Sequence, residues 1–208
     1  MPPAFPHLTD AEFEQGCDDL VRRFHQRRSM QKEWLSVEKM HRNGSVVLTI
    51  TKHLTRDTDA ATTGKDAVEE DDVAEDDEGA LHEPRGPVAI IQYDVIRSPI
   101  YQVPVLYFGI HDPEHRYPPT MTTLYEHLVS PHFRPQAQNA GVIGGITIAN
   151  HPVTDRPQFF IHPCQTAQVM EASVPSQTTA EQYLIAWIGA VGKSVGLNLP
   201  LALAKDCQ

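Results

Sequence analysis

Residues 57–83 carry twelve Asp and Glu against one basic residue, Lys65. A tract that acidic and polar cannot bury enough apolar surface to offset the entropy of ordering it. Residues 56–86 are therefore expected to form a disordered acidic loop, and the core has to come from the segments on either side. The 208 residues then suit a single domain, 1–208, with the loop as an insert. The tract also holds the charge imbalance. It carries −11, while the remaining 15 acidic and 16 basic residues leave +1. A nearly neutral body lacks the clustered Lys and Arg of a nucleic-acid surface, so no nucleic-acid partner is expected.

Before the tract, Thr9 and Glu12 form a capping box, with Leu8 and Phe13 placed to close a hydrophobic staple. Phe13, Cys17, Leu20, Val21 and Phe24 then recur at helical spacing. Arg22, Arg23, Arg27 and Arg28 read as a solvated face that compensates the helix dipole. Trp34–Arg42 and Ser45–Thr51 are strand-like, and Asn43-Gly44 between them suits a type I′ turn.

After the tract, Val88–Arg97 and Ile100–Ile110 read as strands joined at Ser98-Pro99, with Pro104 marking an edge or a bulge. Met121–Val129 predicts a short helix capped by Thr123 and Glu126. Gly141–Ala149 and Gln158–Ile161 are further strand-like pieces, and Gln165–Glu171 could form a short helix. A last helix is expected from Thr178 to about Gly196, capped by Thr178 and Glu181, with Gly189 and Gly192 allowing close packing. Helix, hairpin-linked strands, then helices is an α+β order: an antiparallel sheet flanked by helices.

Cys17, Cys164 and Cys207 are odd in number and lack a CxxC pair, which argues against a disulfide framework or a zinc ribbon and fits a reducing compartment. The N-terminus lacks the pattern of a signal peptide. No apolar run approaches the ~18 residues of a membrane span, so no stable membrane insertion is expected. His111-Asp112-Pro113-Glu114-His115 matches HxxEH, but Pro113 and Pro118-Pro119 argue for a loop and not for a helical metal site. The glycines at Gly141, Gly144 and Gly145 read as turns beside a strand, without a phosphate-binding pattern.

Cys164 differs from the other two cysteines. The apolar run Phe159–Ile161 stops at His162-Pro163, and the thiol follows at a possible helix start. Unpaired N–H groups there favour a thiolate. Cys164 is thus either an exposed, activated nucleophile or a small apolar packing group, which is the common fate of free cysteines. His162 and His151 are each candidates for a base near it, or plain loop residues.

The strand Ile100–Phe108, with Tyr101-Gln102-Val103-Pro104, and the block Gly145–Pro152 followed by Phe160-Ile161-His162-Pro163-Cys164-Gln165-Thr166 resemble the autophagy ubiquitin-like conjugating enzymes. The likeness covers about residues 88 to 200, and the first helix and hairpin more loosely. Of the two sister families that share the block, one acting on phosphatidylethanolamine and one on a protein lysine, the chain is similar to the second, the autophagy-related protein ten family. The acidic tract departs from the compact family pattern.

The resemblance implies a ubiquitin-conjugating-enzyme-like core and a transferase of the autophagy conjugation and protein-transport pathway. Cys164 would take a ubiquitin-like modifier from an activating enzyme as a thioester and pass it to an acceptor lysine. It implies a modifier of the autophagy-related protein twelve type and an acceptor of the protein five type. The thioester supplies the activation, so no cofactor or metal is implied. A cytoplasmic protein recruited to the forming autophagosome fits this role. His162, Asn150 and Tyr93 are the candidates for oxyanion support or lysine deprotonation. The lipid-conjugating sister activity and a cysteine hydrolase of modifier conjugates are the alternatives.

Overall fold

Helix α1, Asp10–Arg27, begins where its capping box predicts: Thr9 Oγ1 accepts the Glu12 N–H, and Glu12 accepts the Thr9 N–H in return. The staple closes too, with Leu8 and Phe13 both buried. Such a cap stabilises a helix by about 1 kcal/mol. In the computed structural model, residues 4–54, 88–134, 145–175 and 178–205 are described. The expected acidic loop at 56–86, the turn at Gly141–Gly144 and Cys207 lie outside the described residues.

Six strands follow: β1 Ser36–Arg42, β2 Ser45–His53, β3 Ile90–Arg97, β4 Pro104–His111, β5 Ile146–Asn150 and β6 Pro157–Ile161. They form one antiparallel sheet in the order β1-β2-β3-β4-β6-β5. The β1–β2 turn has Asn43 and Gly44 at φ 50 and 77, the two positive values a type I′ turn needs. Alternation sorts the faces. Leu48, Ile50, Ile91, Tyr93, Val95, Leu106, Phe108, Phe159 and Ile161 point into the main core, which also takes in Phe13, Leu20 and Phe24 of α1. The opposite face carries a smaller cluster of Val47, Ile96 and Val105, packed by Tyr107, Val153 and Phe160.

The expected strand Ile100–Ile110 starts late. Residues 98–103 instead form a turn, with the Ser98 N–H donating to Val103 O, the Gln102 N–H to Ser98 O, and Gln102 at φ 54. Pro104 marks a local edge and not a bulge. It is the first residue of an interior strand, tolerated because β6 pairs with β4 only at Leu106–Phe108 and leaves that end unpaired. The predicted helix Met121–Val129 is a single turn, α2 (Met121–Thr123), capped by Thr120 and not Thr123, and it opens into a wide turn over Leu124–Leu128.

Helix α3, Thr166–Ser173, follows the Cys164 junction, and α4, Ala180–Val191, fills the core with Tyr183, Leu184, Trp187 and Ile188. Its capping box is Thr179–Gln182, one residue past the predicted Thr178–Glu181. Both displaced residues are engaged elsewhere: Thr178 Oγ1 donates to Pro175 O, and Glu181 binds Arg23. Gly16 brings α1 against the start of α4, where a Cβ would lie 2.9 Å from Ala180 O. Gly192 has a comparable reason, with Leu197 O at 2.9 Å, whereas Gly189 faces open space and does not serve close packing.

The basic face of α1 is only partly solvated. Arg22 pairs with Asp19 at the surface. Arg23 binds Glu181 and the Leu203 and Lys205 carbonyls, and Arg27 binds the Ala202 and Lys205 carbonyls. These two guanidiniums fasten the last described helix, α5 (Leu201–Ala204), whose carbonyls need donors at its C-terminal end.

Candidate active site

Strand β6 delivers the site. Ile161 is buried, and the His162 N–H donates to Gly145 O at 3.2 Å, which holds the chain extended up to His162. Pro163 then starts a 3₁₀ turn, Pro163–Gln165, that runs into α3. Proline suits this first helical position because its missing N–H would have no partner there and its φ is already set. Cys164 sits in the turn and is exposed.

His162 caps the turn with its side chain. Its Nδ1 accepts the Cys164 N–H at 3.2 Å. A neutral ring that accepts at Nδ1 carries its proton on Nε2. Nε2 lies 3.3 Å from the Tyr101 hydroxyl, so Nε2–H donates to that oxygen. The two rings meet edge to face with centroids 5.3 Å apart, and Phe160 lies 6.1 Å from the imidazole on its own side. The hydroxyl hydrogen of Tyr101 is not used in that contact.

Tyr101 is the partner of His162 that the sequence does not single out. Its Tyr-Gln-Val-Pro motif reads as part of a strand. Only the 98–103 turn swings Tyr101 toward His162. The nearest sequence signal was Ser98-Pro99, a turn dipeptide whose extent could not be read.

Tyr93 is not at this site. It is wholly buried on the core face, and its hydroxyl donates to Val195 O at 2.8 Å. Burial pushes its phenol above the ordinary range. Asn150 pairs with Pro157 at one end of the β5–β6 hairpin, whereas Cys164 follows Ile161 at the other end. Four residues of strand separate the two ends by about 13 Å. The Asn150 amide donates to Asp155 Oδ1 at 3.1 Å and fixes the hairpin loop instead.

His151 shares that loop and is also remote from the thiol. Its Nδ1 accepts the Val153 and Thr154 N–H groups, both at 3.2 Å. Its Nε2 lies 3.4 Å from Asp94 Oδ2, and Asp94 also accepts from Thr49 Oγ1 at 2.7 Å and Gln92 at 2.8 Å. Burial lowers the His151 pKa, partly opposed by Asp94.

Cys17 is buried on α1, and desolvation pushes its thiol far up, which makes it inert. After His111, which ends β4, the HxxEH segment is a loop as expected: Asp112 is clamped by the Arg116 backbone and guanidinium, which hold its carboxyl below the usual range. Among the described residues no group of His, Cys, Asp and Glu could hold a metal. No described helix is long and apolar enough to cross a membrane.

Residues 12–202 match the family model described as autophagocytosis associated protein, active-site domain. The chain belongs to this family. The ubiquitin-like-conjugating enzyme ATG10 of Gibberella zeae is 32% identical over 138 residues, covering 65% of this chain and 57% of that protein. ATG10 of Homo sapiens is 35% identical over 117 residues, 55% of this chain and 52% of that protein. ATG10 of Dictyostelium discoideum is 26% identical over 130 residues, 57% and 56% of the two chains. The chain spans about half the length of these curated relatives. A crystal structure of the autophagic E2 Atg10 aligns with 89% of this chain and 97% of its own, at a TM-score of 0.39 and 13% identity. Within this active-site-domain family, Cys164 is the described cysteine that solvent reaches.

Proposed function

We propose that this chain is a conjugating enzyme for a ubiquitin-like modifier, with Cys164 as the thioester site. The observation that carries the reading is an exposed thiol in a capped turn at the end of β6, inside a domain whose relatives are named ubiquitin-like-conjugating enzymes.

The transfer has two steps. The Cys164 thiolate attacks the carbonyl of the modifier's C-terminal residue, held as a thioester on the activating enzyme. A new C–S bond forms, the old one breaks, and the activating enzyme's cysteine leaves as a thiolate. An acceptor lysine amine then attacks the Cys164 thioester. A C–N bond forms, Cys164 leaves as a thiolate, and the amine proton passes to solvent. Both steps build charge on the carbonyl oxygen, where a preorganised donor is worth most. The Tyr101 hydroxyl is the candidate donor, because His162 holds its oxygen and that contact leaves its hydrogen unused. His162 serves as an orienting group: the Cys164 amide takes up its lone pair, so it offers no free base in this arrangement. A cysteine hydrolase would need that lone pair turned to the sulfur. The modifier of the protein twelve type and the acceptor of the protein five type remain the finer reading drawn from the resemblance.

Incubation with activating enzyme, modifier and ATP should give an adduct that thiols destroy. Cys164→Ser should give a thiol-resistant oxyester or no adduct. A thiol-labile adduct on Cys164→Ser would overturn the reading. Offering protein lysine against phosphatidylethanolamine separates the two sister activities.

A further inference from the structure

The Tyr101 turn has little packing of its own. Ile100 is 84% exposed, Tyr101 is 39% exposed, and Gln102 holds a left-handed backbone. Ser98 closes the turn through the Gln102 and Tyr101 N–H groups, and the segment leading into α1 holds it from outside. The Leu8 N–H donates to Gln102 O at 2.8 Å, and His7 Nδ1–H donates to Tyr101 O at 3.2 Å. That segment is seated in turn by buried Leu8 and by the Tyr183 hydroxyl, which donates to Pro6 O at 2.8 Å. Arg97, the last residue of β3, ties the two pieces together. Its Nε donates to Leu8 O, and its Nη1 donates to Asp10 Oδ1 at 2.8 Å. The guanidinium is mostly covered, with 13% of the side chain exposed. The two hydrogen bonds at Leu8 run in the same sense around one closed loop: Arg97 donates to Leu8 O, and the Leu8 N–H donates to Gln102 O in the turn that the same strand feeds.

We propose that Arg97, through the His7–Asp10 segment it clamps, is a positioning residue that aims Tyr101 at His162 and thereby sets the geometry around the Cys164 thioester. The proposal rests on the reading of Cys164 as the thioester site. Arg97 touches neither the thiol nor the modifier; it acts through the turn. A planar fork suits the task because it holds a carbonyl and a carboxylate at once, and lysine can hold one firmly. Losing the clamp leaves Leu8 buried and the Ser98 bonds in place but loosens the segment that braces the turn, so Tyr101 is held less firmly against His162.

The test uses the full chain, with Arg97→Ala, Arg97→Lys, Asp10→Ala, Tyr101→Phe and the Arg97→Ala/Tyr101→Phe double variant. Asp10→Ala covers the case in which Arg97→Ala fails to fold, because the Asp10 side chain is 91% exposed. Two readouts are taken. The first is the NMR signal of the His162 ring protons without any modifier. The second is the rate at which the isolated Cys164 thioester discharges to hydroxylamine, set beside the rate of loading. Arg97→Ala should move the His162 signals and slow discharge about tenfold, as a displaced reacting group does. Arg97→Lys should recover only part of the rate, since lysine holds one of the two acceptors, and Asp10→Ala should shift the signals less in the same direction. In the Tyr101→Phe background Arg97→Ala should add little, since residues acting as one unit are not additive. His162 signals unmoved in both Arg97→Ala and Asp10→Ala would overturn the proposal. So would an Arg97→Ala effect on discharge undiminished in the Tyr101→Phe background. If the wild type forms no thioester at Cys164, the functional reading fails, and the ring signals still decide the clamp.

Discussion

His162 Nδ1 accepts the backbone N–H of Cys164 at 3.2 Å, so the side chain two residues before the thiol caps the turn that presents it. One ring thereby fixes both the backbone of Cys164 and, through Nε2, the Tyr101 hydroxyl.

Replacing His162 by Ala removes that cap and should destabilise the fold by about 1 kcal/mol, the usual worth of a capping acceptor. Loading and discharge of Cys164 should both slow. His162→Asn keeps a side-chain oxygen able to accept the amide, so it should retain more activity and most of the stability. Urea unfolding with single-turnover kinetics checks both; equal activity for the Ala and Asn variants would contradict the capping role.

Tyr101→Phe keeps the ring against His162 and removes only the hydroxyl. Stability should stay within about 0.5 kcal/mol, as for a surface change. Thioester discharge should fall about ten- to a hundredfold, on the low side of losing an oxyanion donor. Unaltered discharge would exclude the hydroxyl from the chemistry.

Gly16→Ala sets two effects against each other. Alanine gains about 1 kcal/mol of helix propensity over glycine. Its Cβ would lie 2.9 Å from Ala180 O, a backbone atom that cannot step aside. Overpacking costs about 1–3 kcal/mol, so net destabilisation is expected in chemical denaturation.

His151 makes the stability depend on pH. Burial holds its folded pKa below the ordinary 6.5, so the folded ring is neutral, with Asp94 facing Nε2. The unfolded chain takes up the proton first as pH falls. The His151 contribution is therefore complete above about 6.5 and declines as pH drops from there toward the folded value. Between pH 7.5 and 5.5 the wild type should lose more stability than His151→Asn, which keeps an acceptor but does not titrate. Thermal midpoints of the two across that range check the sign.

Much of this was legible locally. The Thr9–Glu12 box, the Asn43-Gly44 turn and the alternation along β2, β3 and β6 are carried by neighbours in sequence, so the helix start, the hairpin and the antiparallel sheet could be read directly. Cys164 stood out because an apolar run, a His-Pro pair and a helix start adjoin in the chain. The errors came where distant residues compete. Thr178 and Glu181 form a plausible box on paper, but Pro175 O and Arg23 claim them and shift the cap by one residue. Asn150 sits in the block beside the active-site motif, yet antiparallel pairing with Pro157 carries it to the wrong end of a hairpin.

The sequence by itself determined most of the elements and singled out the Cys164 junction, because capping, turn chemistry and side-chain alternation act over a few residues and leave their marks in order. Only the tertiary structure decided the company the thiol keeps. Tyr101 reaches His162, and Tyr93 does not, because strand register points one ring into the core while a turn held by Leu8 and Arg97 swings the other across the sheet end. That choice depends on hydrogen bonds between residues about ninety positions apart, which no local pattern encodes.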